Sequence, residues 1–205
     1  MNVSPMFPLG TVLFPGGFLP LHVFEPRYRV MTRQCLDGDR SFGVVLIERG
    51  SEVGGGDTRV DVGTRATIVD ARELEDGRWV LGTVGVDRIR VVEWLPDDPY
   101  PRAAVDTFGE PPPGANAGER VAAVEARLRR ALGLWAELGE RGPPATFELA
   151  DDPVQATYQM STLAPVGPAD SQRLLAATGT DTRLTLLSGF LDDAIALFAH
   201  RLGSG

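Results

Sequence analysis

Proline and glycine interrupt the apolar residues of the first thirty positions too often for a helix. Four prolines there lack an amide donor, so they fit neither a helix interior nor a central ladder position: Pro8, Pro15, Pro20 and Pro26. The pair Pro15-Gly16 has the residue types of a type II turn, because proline presets the first φ angle and glycine accepts the positive φ that follows. The pattern predicts short extended segments joined by a tight corner.

A strand is predicted directly after that corner, over residues 18–24. Successive side chains of a strand point to opposite faces. Both faces carry bulky residues here, so we expect burial on both sides: Phe18, Pro20, His22 and Phe24 on one, Leu19, Leu21 and Val23 on the other. After Pro26 the apolar spacing becomes helical, with Tyr28, Met31 and Cys35 on one face and an end near Gly38.

Short β-type runs fill the remainder of the first half, at residues 42–47, 60–74, 79–84, 87–94 and 102–108. Asp76-Gly77, between two of these runs, is typical of a hairpin turn. The glycine-rich residues 51–57 are typical of a flexible hairpin tip and not of a phosphate-binding loop, since they contain no lysine and open no helix. Several short strands with regularly spaced turns favour a small antiparallel barrel or sandwich.

The second half has the periodicity of helices. Residues 109–118 are rich in proline and glycine and predict an extended, solvated linker between a β-domain over residues 1–108 and a helical domain over residues 119–205. Amphipathic stripes and caps predict a small bundle of four helices: one from about Val121 to Leu138, one capped by Asp152 with Pro153 next, one over residues 168–177, and one capped by Thr180 or Asp181. The predicted fold class is therefore α+β.

Charge and composition narrow the classes of function. The 205 residues carry a formal net charge of −8, and all 20 basic residues are arginine. A Walker A loop needs a lysine on the nucleotide phosphates, and a Ser-Lys dyad needs one to activate its serine. Neither a Walker A nucleotide-binding site nor a Ser-Lys protease site is therefore expected. The sequence has neither a long apolar span nor a signal-peptide pattern, which favours a cytoplasmic protein without a membrane partner.

Residues able to carry catalysis are sparse. His22 and His200 are the two candidates for a neutral-pH base or a metal ligand, and they lie at opposite ends of the chain without ligand-spaced partners. We therefore predict no catalytic residue, no metal and no cofactor. For His22 a hydrogen-bonded structural role is preferred over a place on a binding surface. The single cysteine, Cys35, is predicted to be a small buried apolar residue.

Two further features allow two interpretations each. Glu25 and Arg27, on either side of Pro26, could latch the strand to the following helix through a charged hydrogen bond, which we prefer, or could contact a peptide ligand. Trp79 and Trp94 combine a large apolar area with a polar N–H group, as residues at binding hot spots do, although core packing is the simpler interpretation.

Several segments of the first half resemble the Lon protease N-terminal domain family, also called the Lon substrate-binding domain. They follow the family's order and spacing: FPL at 7–9, VLFP at 12–15, LPLHVFEPRY at 19–28, FGVVLI at 42–47, VGT at 62–64, DGR at 76–78 and GVDRIRV at 85–91. The second half is similar only in its helical layout and in short pieces at 172–175 and 183–184. The resemblance implies a PUA-like β pseudobarrel followed by a helical bundle, without the ATPase and protease domains of full-length Lon.

The leading hypothesis is a non-enzymatic module that binds unfolded or exposed apolar polypeptide segments. The resemblance implies a role in protein quality control, as an adaptor for a protease or chaperone or as a scavenger, and a proline-broken edge strand could accept an extended peptide. The candidate peptide-binding residues are Phe18, Leu21, His22, Arg27, Tyr28, Trp79 and Trp94. The alternative is a small-molecule or RNA binder with the same fold, and the negative charge makes nucleic acid an unexpected partner.

Overall fold

The computed structural model describes residues 2–49, 58–140, 142–143 and 146–204. The chain divides into two compact units, Met1–Gly109 and Glu110–Gly205. Strands and one helix make up the described part of the first unit, and helices make up that of the second. The predicted α+β class is confirmed. The hairpin tip predicted at residues 51–57 lies outside the described residues.

Strands of the first unit form a closed circuit. The described strands are β1 Asn2–Leu9, β2 Phe18–Val23, β3 Ser41–Arg49, β4 Thr58–Arg59, β5 Val62–Glu73, β6 Trp79–Leu95 and β7 Arg102–Thr107. Five of them pair in the order β1-β7-β6-β5-β3, and β3 pairs back to β1, the one parallel pair of the circuit. The predicted barrel is thus confirmed, but the sheet is mixed and not antiparallel throughout, because β1 and β3 run parallel. The runs predicted at 79–84 and 87–94 are one continuous strand, β6.

Prolines are tolerated in β1 because each lies in a stretch that pairs with only one of the described strands. Residues 2–5, which include Pro5, pair with β7. Residues 6–9, which include Pro8, pair with β3. Each proline therefore belongs to a stretch with one open side, where a missing amide donor costs no ladder hydrogen bond.

Two tight turns follow the predicted chemistry. Gly16 has a φ of 77°, and Gly17 N–H donates to Phe14 O at 2.9 Å, which closes the type II turn after Pro15. Gly77, in the turn between β5 and β6, also has a φ of 77°. Both positions lie in the left-handed region that glycine adopts without steric strain.

Helix α1, Pro26–Asp37, packs the predicted face into the barrel core. Tyr28 stacks on Phe7 with 4.1 Å between ring centroids, and Met31 is fully buried. The Cys35 thiol donates to Ser41 O at 3.3 Å. Burial, with a smaller contribution from the Asp39 carboxylate, raises the pKa of this thiol to about 12, so it remains protonated as a small core residue.

The described helices of the second unit are α2 Ala117–Glu137, α3 Pro153–Leu163, α4 Pro168–Leu175 and α5 Thr180–Gly203. They confirm the four predicted helices. Helix α3 begins as expected, because the Asp152 carboxylate accepts from Gln155 N–H at 2.8 Å. No helix in the described part of the chain combines the length and apolarity that a membrane span requires.

The predicted cap of α5 is wrong, because tertiary partners occupy both candidate side chains. Gly179 holds the cap position and makes no side-chain capping bond. Thr180 instead donates to Glu110 at 2.9 Å, and the Asp181 carboxylate accepts from Arg120 at 2.6 Å and from the backbone of Gly114 at 2.8 Å. Glu110 is therefore held by the helices and largely shielded, with a side chain 17% exposed, whereas residues 111–116 are exposed as predicted.

Candidate functional site

Strand β2 has an open main-chain edge. Among the described strands it pairs with β6 alone, from Phe18 opposite Val84 to Val23 opposite Trp79. The N–H of Gly85 donates to Gly17 O at 2.9 Å. Because alternate residues of an antiparallel strand bond to the same neighbour, this fixes the backbone groups that point away from β6: those of Phe18, Pro20 and His22.

Pro20 stands at the centre of this outward row. Its missing N–H would have pointed away from β6, so the proline removes no ladder hydrogen bond. The carbonyls of Phe18, Pro20 and His22 remain as acceptors, and the N–H groups of Phe18 and His22 remain as donors. Such a row can pair with an extended polypeptide.

An exposed apolar face lies beside this edge. Phe18 is 65% exposed and Phe24 is 53% exposed, and the Phe18 ring packs over Gly82, where a Cβ would lie 3.2 Å from ring atom Cε2. Leu21 and Val23, on the opposite face, are buried in the core. The prediction that both faces of β2 are buried is therefore wrong, because β2 ends its row of strands and one face alone packs on the barrel.

His22 lies on the exposed face. No hydrogen bond joins its side chain to the part of the chain that the structure describes. The preferred interpretation, a hydrogen-bonded structural histidine, is therefore wrong, and the alternative, a place on a binding surface, stays a prediction.

A cavity of about 280 Å³ opens at the C-terminal end of β2. We call it the β2-end cavity, and its lining residues are His22, Val23, Phe24, Leu74, Arg78 and Trp79. The Arg78 guanidinium pairs with Asp76 at 2.7 Å and is exposed, so its apolar stem is the part suited to line the cavity. The indole N–H of Trp79 is buried and has no acceptor among the described residues.

Arg27 and Tyr28 are bound within the protein. Arg27 donates from Nε to Glu25 Oε2 at 3.0 Å, and its guanidinium lies 4.6 Å from the centroid of the Tyr28 ring. Tyr28 is buried in the core, as is Leu21. The preferred latch interpretation of Glu25 and Arg27 therefore holds. The side chains of Tyr28 and Leu21 belong to the barrel core. They are therefore not available for direct contact with a ligand.

Trp94 lies elsewhere on the barrel. It is near the C-terminal end of β6, opposite Ala103 of β7, and packs against the cluster that contains Met6 and Ile89. The Arg59 guanidinium covers its ring at 4.6 Å from the centroid. The structure thus brings Phe18, His22 and Trp79 to one region and leaves Trp94 out of it.

The site contains no recognised catalytic arrangement of side chains. Within the described ranges, no three His, Cys, Asp or Glu side chains converge as metal ligands. What the edge and the exposed face offer is main-chain pairing and apolar contact.

The family model of the ATP-dependent protease La (LON) substrate-binding domain matches residues 3–193. The chain belongs to the Lon substrate-binding domain family. Lon protease 2 of Myxococcus xanthus is 31% identical over 152 residues, which cover 73% of this chain and 18% of that protein. The LON peptidase N-terminal domain and RING finger protein of Schizosaccharomyces pombe is 23% identical, with 98% of this chain and 47% of that protein covered. The chain therefore spans less than half the length of these relatives.

Solved structures show the same fold. A Lon N-terminal domain protein from Xanthomonas campestris has a TM-score of 0.67 and 25% identity, covering 92% of this chain and 98% of its own. The N-terminal domain of the Mycobacterium avium complex Lon protease has a TM-score of 0.64 at 14% identity, covering 94% and 99%. This Lon substrate-binding domain therefore has the fold of solved Lon N-terminal domains.

Four lining residues of the β2-end cavity in this Lon substrate-binding domain were not among the predicted site residues: Val23, Phe24, Leu74 and Arg78. Leu74 and Arg78 flank the Asp-Gly turn, and Phe24 follows β2. The hairpin was predictable, but its position beside the end of β2 depends on the pairing of β2 with the start of β6, which is a long-range contact. A signal was nevertheless present, since Trp79 follows the turn directly and was already a candidate.

Proposed function

We propose that this domain is a non-enzymatic module that binds exposed apolar segments of other polypeptides. The open edge of β2 beside the exposed face of Phe18 and Phe24 carries the proposal. An extended segment adds to the edge through main-chain hydrogen bonds, which any sequence can make, and its apolar side chains cover the two rings. Folded proteins keep such segments in their own cores, so the edge selects unfolded or loosened chains.

The size of the site suits transient binding. Strand β2 has six residues, so at roughly 3.3 Å per residue it spans about 20 Å. A contact along a strand of this length buries less surface area than the standard stable interface, which buries roughly 1,600 Å². We expect dissociation constants in the micromolar range, which allow a bound chain to be handed on.

We further propose that the domain acts as an adaptor in protein quality control, passing bound chains to a protease or chaperone partner. The family description, a substrate-binding domain of an ATP-dependent protease, supports this role. The names of the relatives support it as well, since they include Lon proteases and a RING finger protein with a LON peptidase N-terminal domain.

The test is a fluorescence anisotropy titration with a labelled, reduced and carboxymethylated polypeptide. His22→Pro removes one outward N–H from the edge, whereas the matched control His22→Ala removes the side chain and keeps that N–H. Losing one hydrogen bond should make His22→Pro bind about threefold to tenfold more weakly than His22→Ala, since the loss of the side chain is common to both variants. Circular dichroism checks that both variants fold. No binding at high micromolar concentration, or equal effects of the two variants, contradicts the proposal.

A further inference from the structure

The β2-end cavity gives the edge a preference for particular side chains. We propose that it anchors one large apolar side chain, of the size of phenylalanine or leucine, from the polypeptide segment that adds to β2. This inference rests on the proposed function and specifies the class of segment that the edge selects: about six extended residues with a large apolar residue at one end.

The lining determines the chemistry of the guest side chain. Val23, Phe24, Leu74 and Trp79 supply apolar walls. The one charged side chain in the lining, Arg78, directs its guanidinium to solvent and to Asp76. A charged guest would lose its hydration here without gaining an ion pair, because the Arg78 guanidinium is already paired with Asp76, whereas an apolar guest loses no hydrogen bonds to water.

The volume determines how much of the guest enters. About 280 Å³ falls just below the roughly 300–1,000 Å³ typical of small-molecule and cofactor sites. The cavity is therefore small for a complete cofactor and has room for a large side chain. An alanine side chain would leave most of it unfilled, so the cavity discriminates by size as well as by polarity.

The position of the cavity joins it to the main-chain edge. His22 belongs both to the outward row of β2 and to the cavity lining, and Phe24 is two residues further along. Leu74 and Arg78, from the β5–β6 turn, close the far side. A segment paired with β2 that continues for one or two residues past His22 reaches the cavity without a bend in its main chain.

The test uses labelled eight-residue peptides of alternating threonine and serine. A single guest residue, Phe, Leu, Ala or Glu, stands near one end, and a second series places it near the other end because either strand direction is allowed. In one series, Phe and Leu peptides should bind about tenfold to a hundredfold more tightly than the Ala peptide, and the Glu peptide should bind no better than Ala.

Two protein variants locate the effect. Leu74→Glu places a carboxylate in the cavity and should abolish the advantage of Phe over Ala. Val69→Glu is the matched control, because Val69 is an exposed apolar residue of the same unit that does not line the cavity, and it should keep the advantage. Phe24→Ser, which changes a residue that is 53% exposed, should reduce the advantage and provides the same test if Leu74→Glu misfolds.

The outcomes separate this inference from the proposed function. If the carboxymethylated polypeptide binds and His22→Pro weakens it, but Phe and Ala peptides bind equally in both series, the anchoring cavity is overturned and the edge remains. An unchanged Phe advantage in both Leu74→Glu and Phe24→Ser also overturns it. If neither polypeptide nor peptides bind, the proposed function fails first.

Discussion

Replacing Glu110 by alanine tests how the helical unit stabilises the completely buried charge of Arg183. The side chain of Arg183 has no solvent exposure, and its guanidinium donates to the Glu110 carboxylate at 2.8 and 3.3 Å. It also donates to Thr157 Oγ1 at 2.9 Å and lies 4.0 Å from the centroid of the Tyr158 ring. Glu110 supplies the counter-charge for this network.

The expected loss follows from what the substitution leaves behind. Removing one partner of a buried ion pair costs about 3–5 kcal/mol, because the remaining charge is uncompensated. The hydroxyls of Tyr158 and Thr180, which donate to Glu110 at 2.6 and 2.9 Å, lose their acceptor as well. The Glu110 side chain is 17% exposed, so water can enter the vacated space and the lower part of that range applies. We expect a loss of about 3–4 kcal/mol in the free energy of unfolding.

A paired substitution distinguishes the charge from the packing. Glu110→Leu together with Arg183→Met removes both charges, and replacing a whole buried pair by apolar residues is often neutral or stabilising. The double variant should therefore be clearly more stable than Glu110→Ala. Glu137→Ala, an exposed substitution at the end of α2, is the control and should change stability by less than about 0.5 kcal/mol.

The assay is urea unfolding monitored by the fluorescence of Trp135, the one tryptophan of residues 110–205, with Trp79 and Trp94 replaced by phenylalanine in parent and variants alike. Circular dichroism at 222 nm monitors the helices in parallel. A loss of less than about 1 kcal/mol in Glu110→Ala, or a double variant no more stable than the single one, would refute the reasoning that a buried guanidinium depends on this carboxylate.

Three further predictions concern local features. Asp152→Ala removes the cap of α3 and should lower the stability of the helical unit by about 1 kcal/mol, while Asp151→Ala should not; equal urea midpoints for the two would exclude the cap effect. Gly77→Ala forces alanine into a φ of 77° and places its Cβ 2.1 Å from Arg29 Nη2. Thermal unfolding should therefore show a loss of about 1–2 kcal/mol in the free energy of unfolding. An unchanged melting temperature would argue against strain. Cys35 should react with iodoacetamide slowly at pH 8 in the folded protein and rapidly in urea. Since burial raises the pKa of this thiol from 9.0 to about 12, its contribution to stability is complete below pH 9 and decreases as the pH rises toward 12; fast folded-state alkylation would contradict this.

Local chemistry made parts of the site predictable. The Pro15-Gly16 corner and the strand after it follow from dihedral preferences that neighbouring residues cannot override, and the Asp-Gly turn before Trp79 follows in the same way. Helix α1 was predictable because Tyr28, Met31 and Cys35 repeat at helical spacing and all three are buried.

Long-range pairing made the rest unpredictable. Whether the outer face of Phe18 and His22 is buried depends on which strand ends the row, and no local pattern records that. Trp79 and Trp94 look alike in sequence, yet they lie near opposite ends of the 17-residue β6 and pack against different core clusters. Glu110 lies in a proline-rich segment that composition describes as solvated, and its partner Arg183 is 73 positions away.

Pro20 also decides what the open edge can do with a second copy of the same chain. An uninterrupted row of donors and acceptors is a template for stacking identical strands without limit, which is the route to fibrils. In β2 the middle of the row, Pro20, has no N–H donor. Two β2 strands paired side by side would therefore lack hydrogen bonds at the centre of the pairing, which is the part best shielded from water. A foreign segment loses one hydrogen bond opposite Pro20 in any register, whereas a symmetric antiparallel pair of β2 strands centred there loses both bonds of that residue pair. One imino acid thus weakens the pairing of this edge with its own copy more than its pairing with a different segment.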